Sequence, residues 1–251
     1  MIASPDEGDA VQERDERIDQ TLVRLQGETS LHARFEILQA LVEYWHGAIS
    51  PLDGFSNAEL EHLSLPDPLR RWYSWAGRRT EIMSGQNWFF TPYSPQPYLK
   101  PTREDGYLLF QRENQGVYEW ATLPEGEDPP VFGRYSDEAW QKEEVSLSQH
   151  LILNCLFEAI ICHASYSAST AWIKEEQLAP ILEHFSGLAI PAWHWPGPTC
   201  FYFGGGAFMA VTSNKPSGEE TGHSIWLGAK HENALKFLRP YVSDTWEHAE
   251  L

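Results

Sequence analysis

His194 and Cys200 stand six residues apart across Pro196–Gly197–Pro198. These are the residue types of a thiol–imidazole nucleophile. That chemistry also needs a group to orient the base and donors for a developing oxyanion, and the sequence supplies neither. Gly204–Gly205–Gly206 has the composition of a phosphate loop. Such loops lead into a helix N-terminus followed by Lys or Ser/Thr. Here the glycines lead into Ala207–Phe208–Met209–Ala210–Val211, a strand pattern, so they read as a hairpin turn. Glu125–Gly126–Glu127–Asp128 offers oxygen ligands for calcium but lacks the spacing of an EF-hand loop, and reads as a solvated acidic loop. There is no GxSxG, no HExxH and no histidine pair at i, i+4. Cys155 and Cys162 share a helix face beside Leu151 and Ile152, and read as small buried thiols. With 36 acidic residues, closeness of two carboxylates says little about catalysis.

Two aromatic stretches fit recognition better than turnover. Trp88–Phe89–Phe90–Thr91–Pro92–Tyr93 lies in the proline-rich segment 84–101, and Trp193–His194–Trp195–Pro196 lies in another proline-bounded loop. Rigid rings on loops are common interface anchors. Trp88, Phe89, Tyr93, Trp193 and Trp195 are therefore the candidate anchors of a partner-binding face. Glu125, Glu127 and Asp128 are the candidate charges that steer a partner to it.

The 251 residues carry 36 acidic and 18 basic side chains, a net charge of −18. Phosphate backbones and anionic membrane surfaces need cationic partners, so nucleic-acid and membrane-surface binding are expected to be absent. Eleven Trp and 42% hydrophobic residues supply a core. The first residues have no basic and no apolar signal region, and the apolar run Leu151–Cys162 is too short for a membrane span. The chain reads as cytoplasmic.

Apolar spacing predicts helices over 10–26, 31–46, 57–63, 67–76, 146–163, 174–185 and 230–241. Ser30 and Ser56 are cap residues, and Pro68 suits a first helical turn. Strands are expected over 107–112, 117–123, 131–135, 201–203, 208–212 and 224–227, with Asn114–Gln115–Gly116 as a turn. Strands neighbour strands, so the fold class is α+β: a mixed or mainly antiparallel sheet flanked by helices. Residues 1–56 read as an N-terminal helical extension, and 57–251 as the α+β domain.

Two stretches carry a resemblance. One is Leu65–Pro66–Asp67–Pro68–Leu69–Arg70–Arg71–Trp72–Tyr73–Ser74–Trp75–Ala76–Gly77. The other runs Glu113–Asn114–Gln115–Gly116–Val117–Tyr118–Glu119–Trp120, followed by Asp128–Pro129–Pro130–Val131, Trp140 and Leu147–Ser148. Their order is similar to the SUKH superfamily, which includes bacterial immunity proteins and fungal regulators of cell-wall synthesis. The similarity spans about 57–240, with its specific part in 65–150. It implies an α+β scaffold that binds proteins without cofactor, metal or catalysis. The motif residues have structural work. Leu65, Leu69, Trp72 and Tyr73 lay a helix on the sheet, Gly116 takes a positive-φ turn position, and Trp120 and Val131 fill the core.

The expected function is thus a non-catalytic module, an immunity protein that neutralises a basic toxin domain, such as a nuclease, by direct binding. An intracellular scaffold or regulator without a toxin is the alternative. An enzyme with an unrecognised site is the third reading.

Overall fold

The computed structural model describes residues 5–27, 30–94, 100–214 and 222–251. Along the chain run α1 (Pro5–Val23, continued by a 3-10 turn Arg24–Gln26), α2 (Leu31–His46), α3 (Asn57–Leu60), α4 (Asp67–Ala76) and α5 (Thr80–Met83). Strands β1 (Asn87–Phe89), β2 (Thr102–Glu104), β3 (Tyr107–Glu113), β4 (Tyr118–Thr122), β5 (Pro130–Tyr135) and β6 (Gln141–Ser146) follow. Then come α6 (Leu147–Glu158), a π-helical turn Ala159–His163, β7 (Tyr166–Lys174), α7 (Glu175–Leu182) and β8 (Ser186–Gly187). The last elements are β9 (Thr199–Gly204), β10 (Ala207–Asn214), β11 (Gly222–Ala229), a 3-10 helix Glu232–Leu238 and β12 (His248–Ala249). The class is α+β, with two antiparallel sheets.

The chain forms two compact units. Ser30–Glu158 is the middle unit, and Met1–Thr29 with Ala159–Leu251 is the terminal unit. The boundary expected after residue 56 coincides with neither junction. Helix α1 belongs with the C-terminal third, whereas α2 packs on α6 in the middle unit.

In the middle unit the sheet order is β1-β3-β4-β5-β6, with β2 also on β3. Ser30 caps α2 by accepting from the Ala33 amide at 3.2 Å, and the apolar stripe Leu31, Phe35, Leu38, Leu41, Val42 and Trp45 is buried. Ser56 and Glu59 form a reciprocal capping box at α3. Helix α4 lays Leu69, Trp72 and Tyr73, all fully buried, into the core, and Leu65 and Pro66 are buried just before it. Gly77 ends α4 where a Cβ would stand 2.6 Å from the Tyr73 carbonyl and 2.8 Å from the Phe55 ring. Helix α6 is buried around nearly its whole circumference, its polar residues His150, Asn154 and Glu158 falling on one stripe. The helix expected to reach residue 163 leaves α geometry at Ala159, and Cys162 in the π turn is exposed rather than buried.

The turn between β3 and β4 is built from its own sequence. Gly116 adopts φ +76°, and its amide donates to the Glu113 carbonyl at 2.8 Å. The buried Glu113 carboxylate accepts from the Gln115 amide at 2.9 Å and the Val117 amide at 3.3 Å. Trp120 and Val131 are fully buried. Pro129 is buried, Pro130 opens β5, and Trp140 is half-buried with the Arg134 guanidinium 4.0 Å over its ring. Val117 and Asn114 are exposed, so these two motif positions serve the turn and not the core.

In the terminal unit the order is β12-β7-β11-β10-β9-β8. One sheet face, with Met209, Val211, Ile225 and Leu227, packs on Leu178 and Ile181 of α7 and on Leu235 and Leu238. Gly205 and Gly206, at φ +57° and +76°, form the β9–β10 hairpin turn. The turn is filled by carboxylates of the chain itself. The Gly205 amide donates to Asp19 Oδ2 at 2.7 Å, and a Cβ at Gly206 would stand 2.3 Å from the Asp15 carboxyl carbon. These contacts bind α1 to the C-terminal third.

Candidate partner-binding surface

Segment 84–101 is more than a loop. Its residues 87–89 form β1, paired antiparallel to β3 with Trp88 opposite Arg112. A buried polar lattice holds that short strand. Glu158 accepts from the Gln86 and Asn87 amides at 2.8 and 2.6 Å. Asn87 Nδ2 and Gln111 Nε2 both donate to Asn154 Oδ1, at 3.0 and 2.7 Å. His150 Nε2 donates to Gln111 Oε1 at 2.6 Å, with its ring edge-on to Phe110 and Trp120. Burial drives the His150 pKa down to about 3, so the imidazole is neutral. Asn87, Gln111, His150, Asn154 and Glu158 are all buried, and their bonds position β1.

Beyond β1 the chain lines a groove of about 360 Å3. Its walls are Phe55, Arg78, Met83, Phe89, Thr91 and Tyr93. Arg78 lies 4.4 Å over the Phe55 ring, and Phe55 meets Tyr93 with centroids 5.2 Å apart. Tyr93 Oη donates to the Glu59 carbonyl at 2.7 Å, which fixes an exposed ring at the rim. The Ser56 amide and hydroxyl, with Arg78, hold the Glu59 carboxyl down at about 2. The groove is therefore an aromatic and Met-lined cleft with one rigid exposed ring and an ionised rim.

The predicted anchors divide. Tyr93 is exposed and Trp88 is half-buried, its indole donating to the Gly85 carbonyl at 3.0 Å. Phe89 is 3% exposed and packs on Trp72 and Phe110, so it floors the groove and is no free anchor. Trp193 is fully buried in the terminal unit: its backbone bridges Thr199 with two 2.8 Å bonds and its ring meets Phe201. Trp195 is half-buried beside a cis bond to Pro196.

The acidic trio also divides. Glu125 and Glu127 are exposed. Asp128 is structural, contrary to its expected steering role. Its carboxylate meets Arg34 at 2.8 Å and the Ser146 hydroxyl at 2.8 Å, and it accepts the Ser148 amide and hydroxyl at 2.8 and 2.7 Å. It thereby caps α6. The acidic loop touches the start of α4, where the Asp67 amide donates to the Gly126 carbonyl. Gly77, beyond the other end of α4, lines the groove. Ten helical residues separate the two by roughly 15 Å. Within the middle unit, the groove and the exposed acidic residues Glu125 and Glu127 are thus neighbouring surfaces and not one patch.

The sequence reading missed Phe55, Arg78 and Met83. Each lies outside a long periodic run; the one local signal was Arg78 directly after the helix-ending Gly77.

Nucleophilic chemistry finds no support around Cys200, whose thiol desolvation pushes up, away from the reactive thiolate. The imidazole that does carry polar partners there is His223. Its Nε2 meets Glu175 at 2.7 Å and its Nδ1 lies 3.5 Å from the Ser213 hydroxyl, which ties the start of α7 to the sheet. Among the described residues no group of three or more His, Cys, Asp or Glu is arranged to hold a metal, and no helix is long and apolar enough to cross a membrane. Compared with family models, curated proteins and solved structures, the chain finds no match.

Proposed function

We propose that the middle unit is a non-catalytic protein-binding module of the immunity type, which neutralises a basic toxin domain by covering it. The resemblance of 65–150 to the SUKH superfamily lies wholly inside this unit. The observation that carries the reading is how the unit disposes of its charge. It holds 19 acidic and ten basic residues. Arg34, Arg78, Arg79, Arg112 and Arg134 are paired with carboxylates of the same unit, and Arg70 donates to the Leu60 and Leu63 carbonyls. Of the unit's other carboxylates, Glu113, Glu143 and Glu158 are buried, whereas Glu125 and Glu127 face solvent on a surface next to the aromatic groove. A basic partner would be drawn in by the field and held by ring contacts in the groove. The compartment that fits this reading is the cytoplasm.

The test is cross-linked pull-down from the source cell, identification of the partner, and measurement of both rate constants. The association rate is expected to fall steeply between about 20 and 200 mM salt. Tyr93→Ala is expected to raise the dissociation rate about tenfold, and Glu125→Gln with Glu127→Gln to slow association mainly. One equivalent of the protein should abolish the partner's toxic activity. A salt-independent association rate, or a partner whose activity is untouched by saturating protein, sinks the proposal.

A further inference from the structure

The middle unit carries a second cavity, of about 270 Å3, with a basic rim in a chain of net charge −18. Its apolar lining includes Leu65, Pro92 and Leu108, and its rim carries His62, Lys100 and Arg103. Leu65 and Leu108 are buried, whereas the three basic side chains are exposed. Arg103 on β2 stands directly across from Leu108 on β3. Cross-strand partners project to the same face, so the guanidinium stem rises beside the apolar floor. The Thr102 hydroxyl donates to the Lys100 carbonyl at 2.8 Å, fixing the backbone from which Lys100 extends.

Of the ten cations of this unit, six are bound to carboxylates or carbonyls of the unit itself, and Lys100 and Arg103 are not. Among the described residues, neither Lys100 nor Arg103 has an ion pair or a side-chain hydrogen bond. In a chain of net charge −18, carboxylates are abundant, yet none has been placed against these two. An arginine fork and a lysine point charge at the mouth of an apolar cavity complement a carboxylate or phosphate group on an apolar body. The volume lies just below the roughly 300–1,000 Å3 of drug-sized sites, so the body is small, a single ring or a short branched chain.

We propose that this cavity is a binding site for a small amphipathic organic anion, its apolar body on Leu65 and Leu108 and its head between Lys100 and Arg103. The site is independent of the partner-binding reading. Its positive rim repels a basic protein, so occupancy leaves the toxin-facing surface elsewhere on the unit.

The test is methyl NMR on the full chain, titrated with phenyl phosphate, benzoate and, as a neutral match, benzyl alcohol. At least one anion is expected to shift the Leu65 and Leu108 methyl signals, with benzyl alcohol at least tenfold weaker. The tighter of the two anions identifies the head group as phosphate or carboxylate. Lys100→Gln with Arg103→Gln should weaken the anion at least tenfold while methyl signals far from the cavity stay in place. Inorganic phosphate titrated alone should bind at least tenfold more weakly than phenyl phosphate. The proposal is overturned if no probe shifts these methyls, if benzyl alcohol binds as tightly as the anions, if binding survives the double substitution, or if inorganic phosphate matches phenyl phosphate.

Discussion

The two units share a charge and a kind of sheet but not a kind of core. The terminal unit has 17 acidic and eight basic residues and the middle unit 19 and ten, so each carries −9. Each is organised on an antiparallel sheet. The terminal core is aliphatic and aromatic, and its buried polar side chains are mainly threonines, Thr170, Thr199 and Thr212, with Asp15 and His223. The middle core buries Asn87, Gln111, Glu113, Glu119, Glu143, His150, Asn154 and Glu158. Hydroxyls satisfy themselves locally, as where Thr199 and Thr212 meet at 2.7 Å. Amides, imidazoles and carboxylates need partners at defined angles, so they select one packing and penalise every other. The lesson is that β1, only three residues long, is held in place by directional bonds to α6 and β3, whereas the terminal sheet is held by area and shape.

That contrast can be broken by experiment. The largest expected effect is Trp120→Ala, which removes a fully buried ring and should cost the middle unit about 3–5 kcal/mol. Hydrogen exchange resolved by segment should show the loss over 30–158. Equal loss in 159–251 would mean that the units do not fold as separate cores. Asn154→Leu should follow at about 1–3 kcal/mol, because it strands the Asn87 and Gln111 amides in the interior. Gly116→Val should cost more than about 1 kcal/mol, since φ +76° is strained for a β-branched residue. Thr199→Val with Thr212→Val removes both partners of one bond and the donor to the carbonyl of Gly197, a half-buried residue that solvent can reach, and should change the terminal unit by less than about 1 kcal/mol. If the threonine pair costs as much as Asn154→Leu in denaturant titrations, the two cores are not different in kind.

Titration by pH sharpens the same comparison. In the middle unit, Glu143 is buried and its carboxyl pushed up to about 8, above its ordinary 4.5. The folded state therefore holds a proton that the unfolded state releases, and this contribution to stability falls as pH rises from 4.5 to about 8. His150 works in the other direction. Its folded pKa lies below the ordinary 6.5, so its contribution is lost as pH falls from 6.5 toward 3. The two opposite slopes cancel between 4.5 and 6.5, so these groups predict a plateau there with a falling flank on each side. Glu143→Gln should flatten the alkaline flank, and His150→Phe the acid one. In the terminal unit, desolvation raises Asp19 to about 6, so its contribution declines only between 3.8 and 6. Urea midpoints for each unit across this range would expose the difference. An alkaline flank that persists in Glu143→Gln excludes that group as its cause.

Much of this was legible in the residues alone, for a local reason. Helices α2 and α4, the β3–β4 turn at Gly116 and the β9–β10 hairpin depend on cap residues, 3.6-residue spacing and positive-φ glycines, all contained within a few neighbours. The acid surplus needed only composition. What the tertiary structure alone decided was pairing over long separations. Asp128 became a helix cap because Arg34, 94 residues away, and Ser148 converge on it. Helix α1 joined the C-terminal third because Asp19 meets Gly205 across 186 residues. Strand β6, rich in charge, became a strand because β5 supplied its ladder. Phe89 and Trp193 were buried, and Phe55, Arg78 and Met83 gathered into a groove, because packing weighs the whole surface at once. Periodicity marks which side chains are apolar; which apolar side chains meet is a property of the folded chain.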